Sequence, residues 1–213
     1  MLKFVINLDR SKDRWNFYKN SDYEKWSATD YKDLNDNNPI FIRMLSYYNI
    51  NPIEHKAKCA CFLSHTNIWR YIIANNLKDI LILEDDAEPT KDIPNIDLPQ
   101  DGFTYLGGYF YNVKMVDGAY KGDTNSINGL NKIDKSKFRM MMNLAYYIPN
   151  AKVAQVMLDY VINLKRYRAI DTLMLHIPCN QYYLYPAIFI EKKITSTIRK
   201  NKKKYSNEYY KLI

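Results

Sequence analysis

Residues 80–89 read ILILEDDAEP. Four aliphatic residues run without polar alternation into Glu84, Asp85 and Asp86. An apolar run of this kind predicts a strand over Asp79–Leu83 that is covered on both faces, as in a parallel sheet. In open α/β sheets, ligands bind beyond the carboxyl ends of the strands, so the three carboxylates stand where a site forms. Close like charges raise one another's pKa or cost stability, and a divalent cation reverses that cost. Oxygen-only ligands suit a hard ion such as Mg²⁺ or Mn²⁺, which would neutralise a diphosphate and stabilise it as a leaving group. A solvated strand end followed by a helix N-cap also favours Asp and Glu, so this cluster alone leaves both readings open.

The chain around this strand has 213 residues and a hydrophobic fraction of 47%, which suits a folded domain rather than a disordered chain. No apolar run approaches the length of a membrane-spanning helix. The N-terminus, MLKFVINLDR, turns polar after Leu8 and shows no signal-peptide pattern. The cysteines are Cys59, Cys61 and Cys179. An odd number, with two only one residue apart, argues against a disulfide framework. The lack of a C-x-x-C pair and of a matching His pair argues against a zinc site. These features predict a reduced, cytoplasmic protein.

The net charge is +8, but Glu191–Ile213 alone carries eight Lys/Arg and two Glu. The body is therefore nearly neutral. It lacks the basic folded face of a nucleic-acid binder, and no nucleic-acid partner is expected. The basic end suits peripheral contact with an anionic membrane surface, and equally a solvated terminus. With no internal repeat and no clear linker, the sequence predicts one domain over 1–198 and a basic tail over 199–213.

Strand and helix patterns alternate along the chain, so the class is α/β. Strands are expected at Lys3–Leu8, Lys25–Thr29, Asp79–Leu83, GFTYLGG (102–108), Phe138–Ile148 and Tyr182–Ile190. Helices are expected from Ser11 to about Asn20, over Pro39–Tyr48, over Lys58–Asn75, over Ala151–Leu164 with Asn150 as cap, and over Asp171–His176. In the Lys58–Asn75 helix, Cys61, His65, Ile68, Trp69 and Ile72 share one face. Residues 117–137 are rich in Gly, Asn, Lys and Asp and predict a long surface loop, a candidate lid.

Two further clusters carry chemistry. In CACFLSHTNIW (59–69), neighbours on a helix point about 100° apart, so Ser64 and His65 should not pair as nucleophile and base. A core histidine beside Trp69 is the plain alternative. In VINLDRSKDRW (5–15), Arg10 and Arg14 lie where a strand end meets a helix start, and both features favour phosphate. Solvated helix arginines would look the same. There is no GxGxxG and no GxxxxGK[ST], so neither a dinucleotide fingerprint nor a P-loop is supported.

Together with WSATD (26–30), LEDDA (83–87), YLGG (105–108) and LAYYIPNAKVAQVML (144–158), these segments resemble glycosyltransferase family 25 over residues 3–198. That family includes bacterial lipooligosaccharide galactosyltransferases and procollagen galactosyltransferase domains. The resemblance implies a GT-A fold: a Rossmann-like, mixed but mostly parallel sheet flanked by helices. It implies a UDP-galactose or UDP-glucose donor, inverting hexosyl transfer to a glycan, lipid-linked sugar or protein hydroxyl, and a DxD-like motif at Glu84-Asp85-Asp86. By the same resemblance Asp86 and Glu84 hold Mn²⁺ or Mg²⁺, His176 is a third ligand, and Asp85 holds the ribose or donor sugar. Asn7, Leu8, Arg10, Arg14 and Asp30 form the nucleotide-facing edge, and Ser64 and His65 the pocket wall. Asp171 becomes the general base. Ala60 stands where the family usually has Gly. Two alternatives remain: a metal-dependent phosphoryl-transfer enzyme or nuclease, and a non-catalytic nucleotide-sugar binder.

Overall fold

The structure, a computed structural model, describes residues 1–45, 52–90, 97–112, 115–116, 119–120, 129–135 and 138–192. The basic tail and most of the 117–137 segment lie outside the described residues. The elements in chain order are β1 (Leu2–Asn7), α1 (Lys12–Trp15), β2 (Glu24–Ser27), α2 (Pro39–Leu45), α3 (Pro52–Ala74), β3 (Lys78–Glu84) and β4 (Ala87–Pro89). They continue with β5 (Gly102–Asn112), β6 (Met115–Val116), β7 (Ala119–Tyr120), β8 (Gly129–Lys132) and β9 (Phe138–Asn150). The last are α4 (Ala151–Ile162), α5 (Ile170–Met174), β10 (Asn180–Tyr185) and β11 (Phe189–Glu191).

The central sheet has the order β2-β1-β3-β9-β5-β10-β8, with β4 and β11 attached beside β5. β1 runs parallel to β2 and β3, and β10 parallel to β5. β9 lies between β3 and β5, antiparallel to both. The α/β expectation of a mixed, mostly parallel sheet flanked by helices therefore holds. β3 is buried on both faces: Ile80, Leu81, Ile82 and Leu83 are all fully inaccessible. Ile80 and Ile82 belong to the core under α3 and α4, while Leu81 and Leu83 belong to the opposite core with Tyr18 and Phe189.

The α3 helix begins earlier than its predicted start at Lys58, because Pro52 is tolerated in a first turn that needs no N–H partner. Its end is built by Asn76, which has a left-handed φ of 47°. The Leu77 and Asn76 amides bond back to the carbonyls of Ile72 and Ile73 at 3.0 and 3.2 Å, a Schellman stop. α4 starts as expected: the Asn150 side chain accepts from the Val153 amide at 3.0 Å. Its inner stripe of Val153, Met157, Leu158 and Val161 is buried, and each such side chain contributes about 1.5–3 kcal/mol.

Further predicted boundaries are corrected. The helix from Ser11 stops at Trp15 rather than near Asn20. Tyr18 turns inward, 1% exposed, and its hydroxyl donates to the Ala87 carbonyl, a contact that a continuing helix would forfeit. The Gly107-Gly108 pair does not end its strand, since β5 continues to Asn112 through irregular pairing with β9. A side chain at Gly107 would meet Phe189 Cβ at 2.6 Å, so the glycine permits close packing of β11. Gly129–Lys132, inside the expected loop, forms edge strand β8 against β10. The last predicted strand is divided into β10 and β11 around Pro186.

Candidate active site

The carboxyl ends of β1 and β3 open together, because Ile6 pairs with Glu84 in register. A cavity of about 150 Å³ lies there, lined among others by Leu8, Arg14, Ser64, His65 and all three carboxylates. Alternation along β1 and β3 sends Asn7 and Asp85 to the α1 side of the sheet. The Asn7 amide donates to Asp85 Oδ2 at 2.8 Å. Arg14, from the single turn of α1, donates to Asp85 Oδ1 at 2.5 Å. Both oxygens of Asp85 are thus engaged by protein.

Glu84 and Asp86 have a different environment. Burial, Asp86 and Asp85 hold the Glu84 carboxyl well above the usual carboxylate range. Burial and then Asp85 push Asp86 up to about 6, with Arg14 opposing. Asp86 Oδ1 is buried with no hydrogen-bond partner. A buried, partnerless carboxylate oxygen beside a second like charge is the donor set that a hard divalent cation satisfies. The residues present therefore fit a cation held by Glu84 and Asp86.

Ser64 and His65 line the same cavity without touching each other's chemistry. Ser64 Oγ donates to the Ala60 carbonyl at 2.8 Å and accepts from the Thr29 amide at 2.9 Å. It fastens the segment after β2 to α3. His65 is 1% exposed and its Nδ1 lies 2.8 Å from Tyr146 Oη. Burial lowers its pKa to about 4, so the ring is neutral near pH 7.

The remaining predicted residues spread outward. Arg10 donates to Asp30 at 2.5 Å and stacks over Tyr31, whose ring lines the cavity. Asp30 also caps the 3₁₀ turn Tyr31–Asp33. Asp171 sits in the first turn of α5 and acts electrostatically on Cys61, His65, Tyr105 and Tyr146. His176 is exposed just beyond α5, and the structure does not bring it to the cavity wall with Glu84 and Asp86.

Two neighbours of the site were not singled out from sequence. Tyr146, on β9, receives the Trp69 indole N–H at 2.9 Å as well as facing His65; only the strand pairing reveals it. Lys192 bonds through its backbone amide to the Asp86 carbonyl at 2.7 Å and lies over the Tyr18 ring. Burial lowers its pKa to about 8, against the pull of Glu88, Asp85 and Asp86. Its signal was hidden in the run of basic residues that begins there.

Comparison with known proteins bears on this arrangement. Residues 1–174 match the family model described as glycosyltransferase family 25 (LPS biosynthesis protein). A "Glycosyltransferase 25 family member" of Drosophila pseudoobscura pseudoobscura is 37% identical over 95 residues, covering 39% of this chain and 15% of the relative. Its namesake in Drosophila melanogaster is 35% identical over 95 residues, with the same shares covered. One in Aedes aegypti is 33% identical over 95 residues, 39% of this chain and 16% of the relative. The match thus spans about one sixth of the length of these curated relatives. The family match takes in β1, α3, β3, β9 and α5, the elements that build the cavity and its surroundings, and the chain belongs to glycosyltransferase family 25.

Proposed function

We propose that this chain moves a hexose, galactose or glucose, from its UDP-sugar to a hydroxyl acceptor, inverting the anomeric carbon. The observation that carries the reading is the gathering of Arg14, Glu84, Asp85 and Asp86 around one cavity at the carboxyl ends of β1 and β3. An acceptor of the lipopolysaccharide type, a glycan or lipid-linked sugar, agrees with the description of the matched family; a protein hydroxyl is the other candidate.

Asn7 and Asp85 hold the Arg14 guanidinium at the cavity, where it meets the donor's diphosphate. Leu8, Arg10, Asp30, Ser64 and His65 shape the nucleotide-facing wall. Glu84 and Asp86 would hold Mn²⁺ or Mg²⁺, which when bound supplies positive charge to the departing diphosphate. Asp171 is the general base. In a single displacement the acceptor oxygen bonds to the anomeric carbon, the bond to UDP breaks, and the hydroxyl proton passes to the Asp171 carboxylate. UDP leaves as an anion, so no acid is needed on the leaving oxygen, unlike a glycosidase.

The test is thermal denaturation with a panel of nucleotide sugars, each with and without Mn²⁺. A ligand of the native state at a hundredfold excess over Kd adds about 2.7 kcal/mol of stability. One UDP-hexose is expected to raise Tm only when Mn²⁺ is present. Stabilisation by Mn²⁺ with plain nucleotides or nucleic acid, and by no sugar, would move the reading to phosphoryl transfer.

A further inference from the structure

Cys61, His65 and Glu84 bring one donor atom each to within 4.8 Å of one another. Cys61 and His65 are four residues apart on α3, one helical turn, so they face the same way. Glu84 reaches them from the end of β3. His65 is 1% exposed, and with Nδ1 engaged by Tyr146 its Nε2 has no hydrogen-bond partner. That nitrogen faces Glu84 Oε1 at 3.6 Å. The separation is too long for a hydrogen bond. It lies close to the N···O edge of a tetrahedral ion, about 3.3–3.5 Å for Zn–N and Zn–O bonds of about 2.0–2.2 Å. All three residues line the cavity.

We propose that Cys61, His65 and Glu84 form a three-ligand site for a borderline transition-metal ion, Zn²⁺ above all, with the fourth coordination position open to the cavity.

The donor set argues for this class of ion. A thiolate and an imidazole select Zn²⁺ or Co²⁺ over the oxygen-seeking Mg²⁺ and Mn²⁺. Three protein ligands with an open position is the pattern of a working zinc site, whereas structural sites are closed by four. Entry of the ion requires the Cys61 thiol to lose its proton to solvent, with no change of oxidation state. Uptake is therefore coupled to proton release. The ligating form of His65 carries its proton on Nδ1 and donates it to Tyr146 Oη, the kind of buried partner that orients metal-binding histidines. The site carries no C-x-x-C or paired-His signature along the sequence, because its third ligand arrives through the fold. One consequence rests on the function proposed above: Glu84 is common to this site and the oxygen-ligand pair, so Zn²⁺ should oppose Mn²⁺-dependent donor binding.

Co²⁺ added to the metal-free full chain is the probe. The expected result is the visible absorption of tetrahedral Co²⁺ with a thiolate-to-cobalt charge-transfer band in the near ultraviolet, both displaced by Zn²⁺. Cys61→Ser should abolish the charge-transfer band, while Cys59→Ser and Cys179→Ser retain it. Asp86→Asn should retain it too, which separates this site from the oxygen-ligand pair and from the proposed transfer reaction. No such band in the wild-type protein, or one that survives Cys61→Ser, overturns the proposal. Should Cys61→Ser fail to fold, X-ray absorption of the zinc-loaded wild type decides: one sulfur ligand supports the site, and none overturns it.

Discussion

Asn7 and Asp85, 78 positions apart in the chain, are joined by a hydrogen bond of 2.8 Å across neighbouring strand ends. The bond matters because it completes Asp85. With Arg14 on the other oxygen, the central carboxylate of the acidic triplet is spoken for before any ligand arrives, and Glu84 and Asp86 are left to face the cavity.

Removing that carboxylate should therefore unsettle the fold as well as the site. The Arg14 and Asp85 side chains are only 14% and 12% exposed. Asp85→Ala removes the charged hydrogen bond from the guanidinium, with Glu84 and Asp86 still near it, and is expected to cost about 1.5–3 kcal/mol. Urea denaturation checks it; a loss below about 1 kcal/mol, the range of exposed pairs, would mean Arg14 is solvated instead.

Asp86 should behave in the opposite way. Its folded pKa of about 6 lies above the unfolded value. Its contribution to stability is therefore full below about pH 4 and is lost as pH rises through 6. Without divalent cation, Asp86→Asn is expected to exceed wild type by about 3 kcal/mol above pH 6, the gap closing toward pH 4. Mn²⁺ should stabilise wild type above pH 6 and leave the variant unchanged. Thermal denaturation from pH 4 to 8, with and without Mn²⁺, reads both effects.

Asp171→Asn tests the base. Donor binding by thermal shift should stay at the wild-type level while transfer falls by about 10²–10⁴-fold, the usual contribution of a positioned base. Undiminished transfer would remove Asp171 from that role.

Gly102→Ala tests the sheet away from the cavity. A side chain there would overlap the backbone carbonyl of Asn180, the residue paired with Gly102 where β10 meets β5. The two strands must part locally, and a loss of about 1–3 kcal/mol is expected, measured by urea denaturation. Donor-binding contacts should be spared, since the described residues that line the cavity come from β1, α1, the segment after β2, α3 and the end of β3, not from β5 or β10.

Much of this was legible in the sequence wherever local rules act. The unbroken apolar run of β3 announced a strand covered on both faces, and Asn150 announced the start of α4. Strand ends alone left Arg14 equally readable as a solvated helix arginine, and only the family resemblance grouped it with Glu84, Asp85 and Asp86. Pairings over long distances were not legible. Nothing local to FRMMMNLAYYI says that β9 runs antiparallel between β3 and β5, so the meeting of Tyr146 with His65 and Trp69 was out of reach. The inward turn of Tyr18, which shortens α1, depends on the Ala87 carbonyl far along the chain. GLNK at 129–132 carries no apolar alternation, and only its pairing with β10 makes it a strand.

The placement of β9 also bears on how the chain is made. β1, β2 and β3 are complete by residue 84, yet the strand that closes the outer edge of β3 spans residues 138–150. On the ribosome, at about 5–20 residues per second, β3 spends seconds as an open edge. Ile80–Leu83, wholly enclosed in the finished protein, are then exposed to pairing with other nascent chains. The acidic triplet stands directly after that segment, where flanking charges act as gatekeepers against aggregation. The residues that later line the cavity thus first guard the strand on which they are mounted.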